Sequence, residues 1–278
     1  VFFHIEYSCN FMFKKSMNIS VPKEHRNLLQ VKIKRSKDYP PIQLNQLEYE
    51  CIAKFKNKID SDRYQYLWDK YKKFSNDFEL IHIPTNHRPS NNSVAYYIPL
   101  SRSYFKMREI LYDFDLLQKW SDQPIITGHI AEGPGGFIEA IIKYREQFSP
   151  HHYQNDSIHG ITLQSNRKEV PGWRKIFFFL RKYTNITIDY GSDGTGDIYN
   201  INNILHYVNS VGKNSCHLVT ADGGFDFSVD FNKQEQMSYR LLFCQIVAAI
   251  SVQKKGGHFI CKFFDSYTPM TLTIYVDA

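Results

Sequence analysis

The chain has 278 residues, 42% hydrophobic and 22% charged, which allows one large folded domain with an extension and excludes a chain dominated by low-complexity sequence. A net charge of +6, with a pI near 8.9, suits a polyanionic partner without demanding one. No apolar run approaches the roughly 20 residues that span a bilayer, and the five cysteines form neither a CxxC pair nor a zinc-ligand pattern, so neither a membrane partner nor a zinc module is expected.

Cys9, Cys51, Cys216, Cys244 and Cys261 read as reduced thiols in a cytosolic or nuclear setting. The sequons at Asn18, Asn91, Asn155 and Asn185 read as chance in an Asn-rich chain with no secretory signal. The first residue is Val1, so the sequence reads as a piece of something longer. Residues 1–95 are rich in Lys, Asn and Tyr, almost free of Gly, and form a mostly helical N-terminal extension. Within it, "LNQLEYECIAKFKNKIDSDRYQYLWDKYKKF" (44–74) carries apolar and aromatic residues at roughly helical spacing, with lysines between. Aromatics interleaved with lysines offer an RNA-binding face, but an amphipathic helix packed on the main domain is the better expectation. "IPTNHRPSNNS" (83–93) reads as a linker.

From residue 96 strands and helices alternate. Strands are predicted at 124–131, 157–163, 185–191, 216–224 and 256–264, with helices at 137–148, 172–183, 198–210 and 232–253. That alternation implies βαβ units and an open, mainly parallel sheet with helices on both faces. Ligands then bind beyond the carboxyl ends of the strands, where strand order reverses.

After the first strand comes "AEGPGGF" (131–137). Gly133, Gly135 and Gly136 allow a tight turn and close approach of a ligand, while Glu132 projects an acceptor into the crevice. A dinucleotide fingerprint would read G-x-G-x-x-G; here the glycines are irregular and an acid precedes them. Glu132 would repel a pyrophosphate and welcome a sulfonium or ammonium, which favours S-adenosylmethionine (SAM) over a nicotinamide cofactor. A purely structural turn is the plain alternative. After the third strand, "YGSDGTGDIYN" sets Asp193 and Asp197 among glycines, either to pair with an adenine amino group or to make a surface turn. Asp222 follows the fourth strand, and Lys262 lies within the apolar "HFICKFF" (258–264). A lysine there must find a partner or lose its proton, so Asp222 and Lys262 form a candidate pair, catalytic or merely structural.

These stretches, with "SRSYFKMREI" (101–110) and "TADGG", resemble in order and spacing the FtsJ/RrmJ-like ribose 2′-O-methyltransferases over roughly residues 95–278. "YGSDGTGDI" and "NKQEQMSYRLLFCQIVAAI" (232–250) resemble the mRNA-cap branch, of eukaryotic and large-DNA-virus type. The resemblance implies a Rossmann-like SAM-dependent methyltransferase sandwich over 96–278. It implies catalysis by a Lys-Asp-Lys-Glu tetrad, of which Lys106, Asp222 and Lys262 are the first three. The glutamate is expected beyond residue 278, with the last strands of the sheet. Glu132, Gly133, Pro134, Gly135, Gly136, Phe137, Asp193, Asp197 and Asp222 are then the expected cofactor-binding residues, and Arg102 an RNA phosphate contact.

The function so implied is methyl transfer to the first transcribed nucleotides of capped mRNA, with RNA and other capping or transcription proteins as partners. Lys262, kept partly neutral by apolar surroundings and Lys106, would take the hydroxyl proton or stabilise the alkoxide. The leaving sulfur becomes neutral, so no metal is required for the transfer. Ribosomal or transfer RNA as substrate, a catalytically silent RNA-binding subunit, and more distantly a nicotinamide oxidoreductase are the alternatives. The Lys, Asn, Ile, Tyr and Phe bias fits an AT-rich source, a large DNA virus or a protist.

Overall fold

A computed structural model describes residues 44–59, 62–71, 98–167, 170–224 and 231–269, with Ile42, Ile81 and Thr271. The expected linker at 83–93 lies outside the described residues. Five strands make one sheet: β1 (Ile126–Ile130), β2 (Ser157–Ile161), β3 (Ile186–Asp189), β4 (Cys216–Ala221) and β5 (Gln253–Cys261). Their order is β3-β2-β1-β4-β5, and every neighbouring pair runs parallel. Every residue of β4 is buried, as a central parallel strand covered on both faces requires.

The helices are α1 (Gln46–Ile59), α2 (Asp62–Tyr71), α3 (Ser103–Asp113), α4 (Gly136–Phe148), α5 (Phe177–Lys182), α6 (Ile201–Val211) and α7 (Gln234–Val252). On one face α3 and α4 bury Tyr104, Met107, Leu111, Phe137 and Ile141 against Leu218 and Ile260 of the sheet. On the other, α6 and α7 bury Ile204, Val208, Leu242 and Ile246 against Ile130, Val219 and Phe259. Each fully buried side chain of this size contributes about 1.5–3 kcal/mol. The sequence of α6 shows why it forms there. Its residues alternate two exposed and two buried, Asn200 caps its start by accepting from the Asn202 amide at 3.1 Å, and Gly212 ends it at φ +97°. From α6 the Tyr207 hydroxyl accepts from His129 N at 3.1 Å and donates to His159 O at 3.1 Å, tying the helix across β1 and β2.

One buried ion pair joins α4 to the start of β2. Arg145 donates to both oxygens of Asp156, at 2.8 and 2.9 Å, and its other guanidinium N–H groups reach Trp120 O, Gln123 O and Ser149 Oγ. Asp156 in turn accepts from the Ile125 amide at 2.8 Å, one residue ahead of β1. The two side chains are 1% and 2% exposed.

The single helix expected over 44–74 is two, α1 and α2. Nor does α1 dock through an apolar face: none of its residues is buried, and Leu47 and Phe55 are exposed. It is held instead at points. Lys56 Nζ lies 3.7 Å from Asp265, Leu44 N donates to Tyr267 O at 3.0 Å, and the Tyr49 ring meets Tyr267 edge-on at 5.3 Å. Among the described residues no helix is long and apolar enough to cross a membrane.

Candidate active site

After β1 the chain builds outward to β2 and β3, then returns to add β4 and β5 on the other side. The reversal opens a crevice above β1 and β4, into which the strand-end residues project. At the right of it, Lys262 continues the ladder, its amide donating to Ala221 O at 2.9 Å. Its Nζ lies 2.7 Å from Asp222 Oδ1 and donates to Asp222 O at 2.9 Å. The lysine in an apolar strand has found its partner, and both side chains stay partly open, at 25% and 20%. Lys106, from the middle of α3, joins them. Lys106, Asp222 and Lys262 line one cleft whose apolar wall includes Ile110, Phe137 and Ile260. The structure therefore brings together the three residues read as catalytic. Arg102 stands exposed one residue before α3, on the same side of the helix start.

The glycine turn differs from expectation. Gly135 takes φ +105°, and its amide donates to Glu132 O at 2.7 Å, closing the turn into α4 after a cis Gly133–Pro134 peptide. Gly133 and Gly136, expected to admit a ligand, admit the protein's own chain instead. A Cβ on Gly133 would stand 2.8 Å from Pro171 O, and one on Gly136 would run into the hydroxyls of Ser101 and Ser103. Phe137 is buried in the core below.

Glu132 is also corrected. It does not stand open in the crevice: it is 4% exposed and turned inward between β1 and β4. Its Oε1 accepts from Thr220 Oγ1. Its Oε2 has no hydrogen-bond partner, because His129 Nδ1, 3.3 Å away, is directed at Thr220 Oγ1 at 2.8 Å. His129 Nε2 meets Thr127 Oγ1 at 2.9 Å, so the carboxylate ends a buried polar chain. Burial holds the Glu132 carboxyl above its ordinary value of 4.5, with His129 and Thr220 pulling it down. The folded chain thus keeps a proton that the unfolded chain releases, and this contribution to stability shrinks as pH climbs above 4.5. Glu132→Gln, which cannot ionise, is expected to gain more over the parent at pH 8 than at pH 5 when thermal midpoints are compared without ligand. An equal gain at both pH values would refute the assignment.

Across the crevice, Asp193 is consumed by its own loop. Oδ1 accepts from Thr195 N, Thr195 Oγ1 and Asn203 Nδ2 at 2.9, 2.7 and 2.9 Å, and Oδ2 from Asn200 Nδ2 at 2.9 Å. Hydrogen bonds from Thr195 above all hold this exposed carboxyl well below its usual range. Asp197 Oδ1 accepts from Tyr199 N at 2.9 Å, a local turn. The loop is tied to the end of β2 by Gln164 N donating to Thr195 O at 2.6 Å. These two aspartates shape their own loop after β3. Among the described residues no group of three or more His, Cys, Asp or Glu is placed to hold a metal.

Sequence reading missed four participants. Thr220 and His129 hold Glu132; on α7, Gln245 reaches the turn after Asp222 and Glu235 the segment at Tyr267 and Thr268. The available signal was a polar residue inside an otherwise apolar element.

The FtsJ-like methyltransferase family model matches residues 99–275. Cap-specific mRNA (nucleoside-2′-O-)-methyltransferase 1 of Mus musculus is 31% identical over 194 residues, covering 62% of this chain and 22% of that protein. The Leishmania braziliensis protein of the same name is 35% identical over 149 residues, 52% of this chain and 35% of its own. The chain thus spans about a fifth to a third of the length of these curated relatives. A solved structure from Methanococcus maripaludis, described as a SAM-dependent methyltransferase, aligns with a TM-score of 0.34 at 16% identity, over 64% of this chain and 65% of that one.

Proposed function

The chain belongs to the FtsJ-like methyltransferase family, and we propose that it carries a methyl group from SAM to a ribose 2′-hydroxyl near the 5′ end of capped mRNA. The observation that carries this reading is the meeting of Lys106, Asp222 and Lys262 in one cleft at the reversal of strand order, with Lys262 and Asp222 2.7 Å apart. When bound, SAM supplies an electrophilic methyl on a sulfonium. The left-handed turn at Gly135 and the partly open Asp222 carboxylate suit a cationic group at this crevice. Asp222 and the backbone of the turn at Gly135 would hold the cofactor, with Glu132 steadying that turn from within and Asp193 and Asp197 in the loop after β3.

The protein's own groups then have separable tasks. Lys106 attracts and steers the ribose and its phosphates, with Arg102 as a further phosphate contact at the rim. Asp222 fixes Lys262 Nζ through two contacts, its carboxylate and its carbonyl. Lys262 Nζ, as the free amine, takes the hydroxyl proton while the O–C bond forms and the S–C bond breaks, leaving an ammonium and a neutral thioether. Holding the hydroxyl in line replaces a bimolecular encounter by an effectively unimolecular step.

Methyl transfer from labelled SAM to matched capped and uncapped RNAs tests the reading. Label on a 2′-oxygen of the first nucleotides of capped RNA alone is the expected result. Label on both RNAs would remove the cap from the reading, and none on either, with SAM bound, would overturn it.

A further inference from the structure

The chemistry assigned above needs Asp222 and Lys262 in fixed register, yet both lie at the points where β4 and β5 leave the sheet. Paired residues end at Ala221 and Cys261, and after one last ladder bond, Lys262 N to Ala221 O at 2.9 Å, the residues that follow have no strand to hold them. A turn released from its ladder costs little to move unless other groups take its backbone donors. The donors are taken from one direction, by α7.

Gln245 is 1% exposed, on the inner face of α7. Its Oε1 accepts from the Gly223 amide at 2.9 Å, immediately after Asp222. The fit leaves no room for a side chain, since a Cβ on Gly223 would lie 2.5 Å from that same oxygen. Ten residues earlier, nearly three turns along the helix, Glu235 is 4% exposed. Its Oε2 accepts from Tyr267 N at 3.0 Å and its Oε1 from Thr268 N at 3.0 Å and Thr268 Oγ1 at 2.8 Å, with Thr271 Oγ1 also on Oε1. A buried carboxylate surrounded by hydrogen-bond donors stays satisfied without a countercharge. The segment it gathers follows β5 and Lys262 and meets the first turn of α7.

We infer that Gln245 and Glu235 are positioning residues: α7 holds the Asp222 turn with one and the segment leaving Lys262 with the other, and so sets the distance between the two catalytic groups. Neither touches the cleft. This rests on the methyltransferase reading for its effect on rate, but the clamp itself is a statement about backbone amides.

Two readouts separate these. Gln245→Leu keeps the volume and deletes the acceptor; Glu235→Gln keeps the shape but turns a donor towards donors. Each is expected to lower kcat about 10- to 100-fold while KM for capped RNA and Kd for SAM move less than about threefold. Gln245→Glu, which retains the Oε1 acceptor, is expected to recover most of the kcat lost in Gln245→Leu. Hydrogen exchange resolved to single amides reports the clamp directly. Gly223 N should exchange faster in Gln245→Leu, and Tyr267 and Thr268 N in Glu235→Gln, with the β1 and β4 amides unchanged. Unchanged exchange at those three amides, or equal loss of protection across the sheet, would overturn the clamp. If exchange responds as expected but the parent chain transfers no methyl group, the clamp stands and the proposed function falls. If exchange responds and kcat does not, the positioning role is refuted.

Discussion

Lys262→Ala is expected to lower methyl transfer to capped RNA by about 10²–10⁴-fold, the range for loss of a positioned proton-transfer group. Affinity for SAM should change less than about threefold, because the loss belongs to the transition state and not to ground-state binding. The argument is geometric. Lys262 Nζ is fixed at two points by Asp222, at 2.7 and 2.9 Å, and still faces the cleft that Lys106 shares. Lys262→Arg should not rescue the rate, since a guanidinium is planar and does not give up its proton. Single-turnover transfer with labelled SAM, beside calorimetric binding of SAM, decides the matter. Retention of more than about a tenth of the parent rate in the alanine variant would exclude Lys262 from proton transfer.

Asp156→Ala is expected to cost about 3–5 kcal/mol, because it strands the Arg145 guanidinium in the interior. That is a large part of the roughly 5–15 kcal/mol that holds an ordinary domain together. All the Arg145 contacts lie beneath α4, at the foot of the sheet away from the cleft, so the loss should appear in stability and not in the chemistry. In urea the midpoint should fall by about 1–2 M with little change in slope. The double variant Arg145→Met, Asp156→Leu removes both charges and should recover much of the loss. A double variant as unstable as Asp156→Ala would show that the hydrogen bonds to Trp120 O and Gln123 O matter more than the charge pair.

Much of this architecture was legible in the sequence because strand and helix periodicities are local. All five strands appear where alternation and apolar runs placed them, and so do the four helices between them. The ends moved for tertiary reasons. The fourth strand was read to 224, yet pairing stops at Ala221 because Gln245 draws the Gly223 amide out of the ladder. The helix read over 172–183 begins with a short turn at Trp173–Lys175 and is regular only from Phe177, since Pro171 and Gly172 pack on Gly133.

At the candidate site, which residues meet was partly legible and their orientation was not. Lys106, Asp222 and Lys262 could be named from motif order, and they do meet. Glu132 was named too, but its direction depends on Thr220, 88 residues away, and no local pattern encodes that. Asp193 was read as either an adenine contact or a surface turn, and its partners Thr195, Asn200 and Asn203 are near enough in sequence to make the turn. Glu235 and Gln245 lay in a recognised stretch, yet what they grip is set by the return of β5 beside β4.

The strand order has a bearing on synthesis. Thr127 of β1 is aligned with Leu218 of β4, so the middle of the sheet joins stretches made far apart in time. At about 5–20 residues per second, Lys262 emerges on the order of ten seconds after Glu132. In that interval β1, β2 and β3 can assemble, but the flank of β1 that awaits β4 is a bare row of backbone donors and acceptors, open to any passing strand. The newborn chain is therefore most exposed to mispairing along the flank of β1 that β4 later covers.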